Sequence, residues 1–413
     1  MNRTLKSHKI INDPVYGFIN IHSELIFAVI DHPYFQRLRR IKQLGLTDMV
    51  YPGALHTRFH HAIGAMHLMS ITLDQLRNKG IEISDNEYEA SQIAILLHDI
   101  GHGPFSHALE SILLKGFHHE SLSLLFFDEL NKQFHGQLSL AKAIFVGSYE
   151  RKFFHQLVSS QLDIDRLDYL QRDCFFTGVS EGTIGADRII KMMTIVDDHL
   201  VIEEKGIYSI ENFLNARRLM YWQVYLHKTT VCAEKMLINL IIRAKDLVYS
   251  GEQLAGSVEL LEFLQRDLSV GPAAGIPDWL EDFSQLDDYD VWGAIKLWKN
   301  SGDLVLREIS HMFLTRKLFK IQLVNSAFSE DEILRMKSGV QSKLGLSDRD
   351  MPYFFSSGEI SNYGYLAEDK IYILTKKGEV MDVALAADLP NIKAMSKIVK
   401  KYYACHAKDL TLR

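Results

Sequence analysis

The stretch "AILLHDIGHGPFSH", Ala94 to His107, constrains this chain more than any other. A run of aliphatic residues ends directly in His98, Asp99, His102 and His107, side chains that are costly to bury without partners. Gly101, Gly103 and Pro104 stand among them and oppose further helix, so the segment reads as a helix end opening into a loop. Had the helix continued, His98 and His102, four apart, would share one face. Glycine and proline bracketing three histidines do not pack a core, so the fold must supply partners to a site here. Imidazole with carboxylate is a ligand set for a hard or borderline divalent ion.

The rest of the chain bounds what can surround that site. Its 413 residues, 47% hydrophobic and 24% charged, describe a globular protein with a large core and more than one domain. No apolar run approaches the length that crosses a bilayer, and "MNRTLKSHKIINDP" lacks the apolar centre of a signal peptide. Cys174, Cys232 and Cys405 are odd in number and far apart, which suits reduced thiols and a cytoplasmic protein. A net charge of −6 argues against nucleic acid as the main partner. The one basic segment, "QRLRRIK", reads more simply as a helix face near the site.

Periodicity predicts a mainly α fold. "SELIFAVIDHPYFQRLRRIKQLGL" reads as two short helical segments broken at Pro33, and "HTRFHHAIGAMHLMSITLDQLRNKG" as a long helix stopped by Gly80. Ser84-Asp85 suits the N-cap of the helix running into Leu97. "IENFLNARRLMYWQVYLHKTTVCAEKMLINLIIRAKDLVYSG" predicts one very long amphipathic helix, a central support or an oligomer surface. After about Thr315 the texture changes. "KLFKIQLV", "KIYILTKKGEVMDVAL" and "KKYYACHA" read as strands, with a hairpin turn at Lys377-Gly378, and "EDEILRMKSGVQSKL" and "NIKAMSKIV" as helices. The expected organisation is a helical core over residues 1–314 and a small mixed α+β region over 315–413.

Two further segments carry candidate ligands: His61 in "HTRFHH" and Asp165 in "DIDRLDYLQRD". A lone histidine on an apolar helix is ordinarily a hydrogen-bonded core residue, and acidic helix starts are ordinarily caps. Taken with "HDIGHGPFSH", that reading loses. In combination and in order, "KIINDPVYGFINI", "FQRLRRIKQLG", "HTRFHHAIG", "LLHDIGHGPFSH", "HHES", "DIDRLDYLQRD" and "YLHK" resemble the HD-domain metal-dependent phosphohydrolases. Within them the chain is similar to the deoxynucleoside triphosphate (dNTP) triphosphohydrolases, which include bacterial dGTPases and animal antiviral dNTPases. The likeness runs from about Lys9 to about Lys228.

The resemblance implies an HD-domain helical core and hydrolysis of a dNTP to deoxynucleoside and inorganic triphosphate. It implies His61, His98, Asp99 and Asp165 as ligands of a divalent metal, with Mn²⁺, Mg²⁺ and Fe²⁺ all suited to the set. His102, His107 and His119 match histidines around the α-phosphate, with His119 as general acid and Glu120 orienting its ring. Arg58, Arg166, Arg217 and Lys228 match positions that hold the outer phosphates; Tyr225 and His227 lie beside sugar and phosphates. Gln43 and Asp173 match positions at the 3′-hydroxyl, and Tyr169 packs under the sugar. In allosteric members a nucleotide activator binds between subunits of a homo-oligomer, a tetramer or larger, at positions matching Lys9, Asp31, Gln36 and Arg39. His60 and Glu110 depart from the family pattern, where Glu and Asp are common. Two alternatives stay open: another HD-domain enzyme acting on monophosphates or cyclic dinucleotides, and a dNTP-binding sensor without catalysis.

Overall fold

The computed structural model describes residues 9–266, 277–362, 365, 369–387 and 398–410, with the side chain of His107 outside that set. The helical pattern "NIKAMSKIV" falls largely within 388–397 and so lies outside the described residues. The protein is mainly α-helical, and the described residues form three small sheets. Among the described residues no helix is long and apolar enough to cross a membrane.

Local chemistry sets most element ends. Pro33 separates the helix Glu24–Asp31 from the turn Pro33–Gln36, and His32 caps the latter, its Nδ1 accepting from the Tyr34 amide at 3.2 Å. The helix Arg58–Asn78 stops two residues before Gly80, whose φ of +87° an L side chain rarely adopts. Ser84 and Glu87 form a reciprocal cap on the helix Asp85–Leu97: Oγ accepts from the Glu87 amide (3.2 Å) and Oε2 accepts from the Ser84 amide (2.8 Å).

The single long helix expected from Ile210 is in fact two. Ile207–Met220 runs into a π-helical turn, Tyr221–Tyr225, and a separate helix spans Lys228–Tyr249. His227 makes the break: it is extended (φ −60°, ψ 131°) and its Nδ1 accepts from the Thr229 amide, capping the second helix. The apolar period survives this turn, which is why the pattern gave no warning.

The C-terminal strands Lys320–Val324 and Phe355–Asn362 flank Val399–His406, all antiparallel. Phe355–Asn362 ("FSSGEISN") escapes a propensity reading because it is rich in serine, glycine and acid. The hairpin Tyr372–Leu374/Val380–Asp382 closes at Gly378 (φ +82°) as expected. Its first strand pairs in parallel with His199–Glu203, part of an unanticipated hairpin with Met193–Val196. Asp197 and Asp198 turn that hairpin with φ of 49° and 62°, the two left-handed residues its turn needs. A further hairpin, Lys9–Asp13/Gly17–Ile21, lies at the N-terminal end.

Three helices position the site: Arg58–Asn78 packs against both Asp85–Leu97 and Ile164–Thr177. Gly101 lets the loop after Leu97 lie directly on the helix His119–Gln133. A Cβ at Gly101 would stand 2.3 Å from both the His119 carbonyl oxygen and the Ser123 nitrogen, backbone atoms that cannot swing aside. Gly101→Ala is therefore expected to cost roughly 1–3 kcal/mol, the usual range for overpacking. Thermal melting beside Gly80→Ala, where nothing lies within 4 Å, separates this steric cost from backbone preference.

Candidate metal centre and adjoining cavity

His61 occupies the first turn of Arg58–Asn78, His98 caps the C-terminal end of Asp85–Leu97 with Asp99 next, and Asp165 sits in the first turn of Ile164–Thr177. Packing the three helices brings these ends to one point. His61 Nε2 lies 3.1 Å from Asp165 Oδ1 and 3.4 Å from His98 Nε2; His98 Nε2 is 3.4 Å from both Asp165 Oδ1 and Asp99 Oδ1. Ligand atoms of His61, His98 and Asp99 all fall within 4.8 Å of one another, and the three residues are buried.

The outer contacts decide which atoms face inward. His98 Nδ1 meets the Ile95 carbonyl at 2.6 Å; a carbonyl oxygen only accepts, so Nδ1 carries the proton and Nε2 presents a lone pair. His61 Nδ1 meets Asp168 Oδ2 at 2.7 Å, with the same consequence. Two imidazole lone pairs and two carboxylates thus converge with no donor of their own, an arrangement that calls for a cation. The same acceptors that would draw a cation also draw protons, which then sit on the rings in place of the ion. Burial alone would discharge His61, but hydrogen bonds to Asp165 and Asp168 outweigh it and raise the ring to about 10. Burial likewise opposes the Asp99 charge, yet His98, His102 and Arg58 hold the carboxyl well below the usual range.

Asp168 belongs to a buried chain of charges. Arg172 Nε and Nη2 each donate to Asp168 at 2.9 Å, and Arg172 Nη1 donates to Asp13 Oδ2 at 2.7 Å, in the N-terminal hairpin. Asp13, Asp168 and Arg172 are all buried. The sequence held a signal for this chain: Asp165, Asp168 and Arg172 recur at helical spacing, which makes Asp168 and Arg172 i, i+4 partners.

A second group adjoins the first. His102 and His119 stack with ring centroids 4.0 Å apart, and His102 Nε2 is 3.3 Å from Asp99 Oδ1. Burial and the Arg58 charge hold His102 well below its usual range, so the ring is neutral. The carboxylate at His119 Nδ1 is Glu110, at 2.9 Å, which corrects the expectation of Glu120. Glu120 follows His119 on one helix and diverges from it by about 100°, whereas Glu110 approaches from the facing helix Ser106–Leu113. His60 does not compete for the centre. Its Nδ1 accepts from the Thr57 amide at 3.1 Å and closes the helix start.

A cavity of about 500 Å³ opens from this centre. Its lining includes Asp99, Asp165, Arg58, Arg166, His102, His119 and Glu120, and also Gln43, Tyr169, Asp173 and Tyr225. Asp173 is fixed at both oxygens: His56 Nε2 lies 2.7 Å from Oδ1, and the Tyr225 hydroxyl donates to Oδ2 at 2.8 Å. His56, a residue missed in "HTRFHH", stacks on Phe176 with centroids 4.5 Å apart. Arg58 also bonds Asp99 and Ser106, and Arg166 pairs with the helix cap Asp163.

Three expected residues flank the lining without being part of it: Arg217 is buried and donates to the Gln161 carbonyl at 3.2 Å, His227 caps the following helix through Nδ1, and Lys228 opens that helix. The side chain of His107 lies outside the described residues. Lys9, Asp31, Gln36 and Arg39 sit apart from the cavity. Lys9 Nζ lies 4.8 Å over the Phe27 ring, Arg39 lies 3.5 Å over Phe59 and donates to Gln36 Oε1 at 2.8 Å, and Asp31 is exposed.

Comparison with known proteins gives this geometry a context. Residues 58–173 match the model of the HD domain, and residues 184–252 match the HD associated region. The crystal structure of a phosphohydrolase from Bacteroides thetaiotaomicron shares 52% identity and superposes with a TM-score of 0.94, over 97% of this chain and 100% of that one. The protein YwfO of Bacillus subtilis is 32% identical over 99% of this chain and 94% of its own length. The deoxynucleoside triphosphate triphosphohydrolase SAMHD1 homolog of Dictyostelium discoideum is 32% identical over 62% of this chain and 53% of its own length, so the match spans about half of that relative.

Proposed function

This chain belongs to the HD-domain phosphohydrolase family, and we propose that it hydrolyses dNTPs to deoxynucleoside and inorganic triphosphate. The observation that carries this reading is the cavity itself, which joins a cation-seeking cluster and an arginine pair at one part to a fixed, hydroxyl-reading carboxylate, Asp173, at another. His61, His98, Asp99 and Asp165 would hold a divalent ion, Mn²⁺, Mg²⁺ or Fe²⁺, which when bound supplies Lewis-acid polarisation at the α-phosphate and activates water.

The chain's own residues do the rest. Arg58 and Arg166 line the part that takes phosphate oxygens, where guanidinium forks bind bidentately. Water adds to the α-phosphorus and the bond from phosphorus to O5′ breaks, so the deoxynucleoside leaves with a proton at O5′. Glu110 accepts from His119 Nδ1 and fixes the ring, and Nε2 is the atom that delivers that proton. Stacked against it, neutral His102 adds no competing charge. Asp173, held by His56 and Tyr225, accepts from the 3′-hydroxyl, and Tyr169 closes the space a 2′-hydroxyl would need.

Incubation with each dNTP and with GTP, under Mg²⁺, Mn²⁺ and Fe²⁺ in turn, tests this reading by chromatographic separation of products. The expected result is deoxynucleoside and intact triphosphate, with GTP turned over at least about tenfold more slowly, the discrimination a pocket contact supplies. Release of orthophosphate or pyrophosphate, or no turnover under any metal, would overturn it.

A further inference from the structure

The cavity wall holds a carboxylate that none of the steps above employs. Glu234 lies on the helix Lys228–Tyr249 and lines the cavity. That helix packs on both the helix Ser106–Leu113 and the Thr47–Met49 turn, and the cavity lining includes Leu44, Gly45, Thr47 and Leu226 as well as Glu234. Among the described residues the Glu234 carboxylate has no hydrogen-bond donor. Its surroundings press against the charge: burial raises the carboxyl to about 7, with Lys235 only partly offsetting this.

A bare carboxylate is a poor lining for a cavity that takes a polyanion. A triphosphate carries about four negative charges, and a like charge nearby costs binding energy unless it is distant or satisfied by the ligand. Both conditions single out the base. With the phosphates at Asp99, Asp165, Arg58 and Arg166 and the sugar at Asp173 and Tyr225, the lining left for the base includes Lys42, Leu44, Gly45, Thr47, Phe105, Tyr221, Leu226 and Glu234. The leucines, the glycine and the two aromatic rings in that lining suit a flat heterocycle.

We propose that Glu234 is the base-reading residue of this enzyme and that it selects guanine. The proposal rests on the dNTP reading above and assigns its specificity. A carboxylate presents two acceptor oxygens side by side, and guanine offers two adjacent donors, N1–H and the 2-amino group, that match them bidentately. Thymine has one ring N–H, and adenine and cytosine present a single amino nitrogen beside an acceptor, which would face the second oxygen. A site built to accept two donors rejects ligands that leave its buried acceptor unpaired.

The test measures kcat/KM for all four dNTPs with the wild-type protein, Glu234→Gln and Glu234→Ala, with melting temperature and bound metal as controls for folding. The wild type is expected to favour dGTP over dATP at least about tenfold. Both variants should lower the dGTP-to-dATP ratio at least tenfold while retaining metal, and the loss should appear in KM for dGTP. Hydrolysis of dNTPs without a guanine preference, or a preference that persists in Glu234→Gln and Glu234→Ala, would overturn the assignment of Glu234 alone. Failure to hydrolyse any dNTP would overturn the parent reading and this one with it. Should both variants fail to fold, dGTP, dATP, 2-aminopurine and inosine triphosphates in deoxy form with the wild type decide the point: loss of the 2-amino group in deoxyinosine triphosphate must cost at least about tenfold, and an equal rate overturns the proposal.

Discussion

Replacing Asp165 by Ala should abolish dNTP hydrolysis, by about 1,000-fold or more, and strip the divalent ion from the protein. Asp165 Oδ1 lies against the inward nitrogens of both imidazoles, 3.1 Å from His61 Nε2 and 3.4 Å from His98 Nε2, so its loss removes one of four converging ligands. A catalytic metal stabilises its transition state by several kcal/mol, and about 4 kcal/mol corresponds to about 1,000-fold in rate. Folding should survive. Asp165 is partly exposed to the cavity, and the adjacent cap is made by Asp163, whose Oδ1 accepts from the Arg166 amide at 2.8 Å. Elemental analysis, far-UV circular dichroism and product separation on the same sample check the expectation together. Substantial turnover with a normal metal content would remove Asp165 from the ligand set.

The second large effect is on stability. Asp168→Ala leaves Arg172 fully buried with one carboxylate, Asp13, where it had two. Breaking one partner from a buried ionic network costs about 3–5 kcal/mol, because the remaining charge stays out of water. Denaturant unfolding should show that loss, and metal affinity should drop about 10- to 100-fold as the His61 ring loses its anchor. The pH dependence has a definite sign. Burial raises the Asp168 carboxyl, but Arg172 and His61 outweigh it and hold it at about 2, below its unfolded value. Its contribution is therefore present above about pH 4 and is lost as the pH falls through about 2. Asp168→Ala should flatten that acid limb. An unfolding free energy within about 1 kcal/mol of wild type would show that the network is not under tension from burial.

How much of this could be read from the sequence depended on how local each cause was. Caps and breaks at Pro33, Gly80, Ser84 and Gly378 act over three or four residues, and each stands in the structure. The four candidate ligands also meet, since glycine, proline and histidine at a helix end leave few ways to fold. What failed was relational. The partner of His119 is set by the facing helix, so Glu110 rather than the neighbouring Glu120 holds it. The break at His227 is made by a side-chain cap inside an unbroken apolar period. His56 looked like one histidine among three until the fold set it against Asp173. Strands such as Phe355–Asn362 exist because a neighbour supplies the pairing, and their own residues say little.

The buried run from Asp13 through Arg172 and Asp168 to His61 gives the N-terminal hairpin a hold on chemistry it never touches. Lys9–Asp13 and Gly17–Ile21 carry Ile10 and Phe18 exposed, yet Asp13 anchors the guanidinium that fixes the support of His61, a proposed metal ligand. Coupling of this kind is reciprocal. Filling the centre should tighten the hairpin, so that its amides exchange more slowly with solvent deuterium, and cutting the link at Asp13 should make the ion leave sooner. The hairpin would in that sense be the outermost support of the proposed metal site.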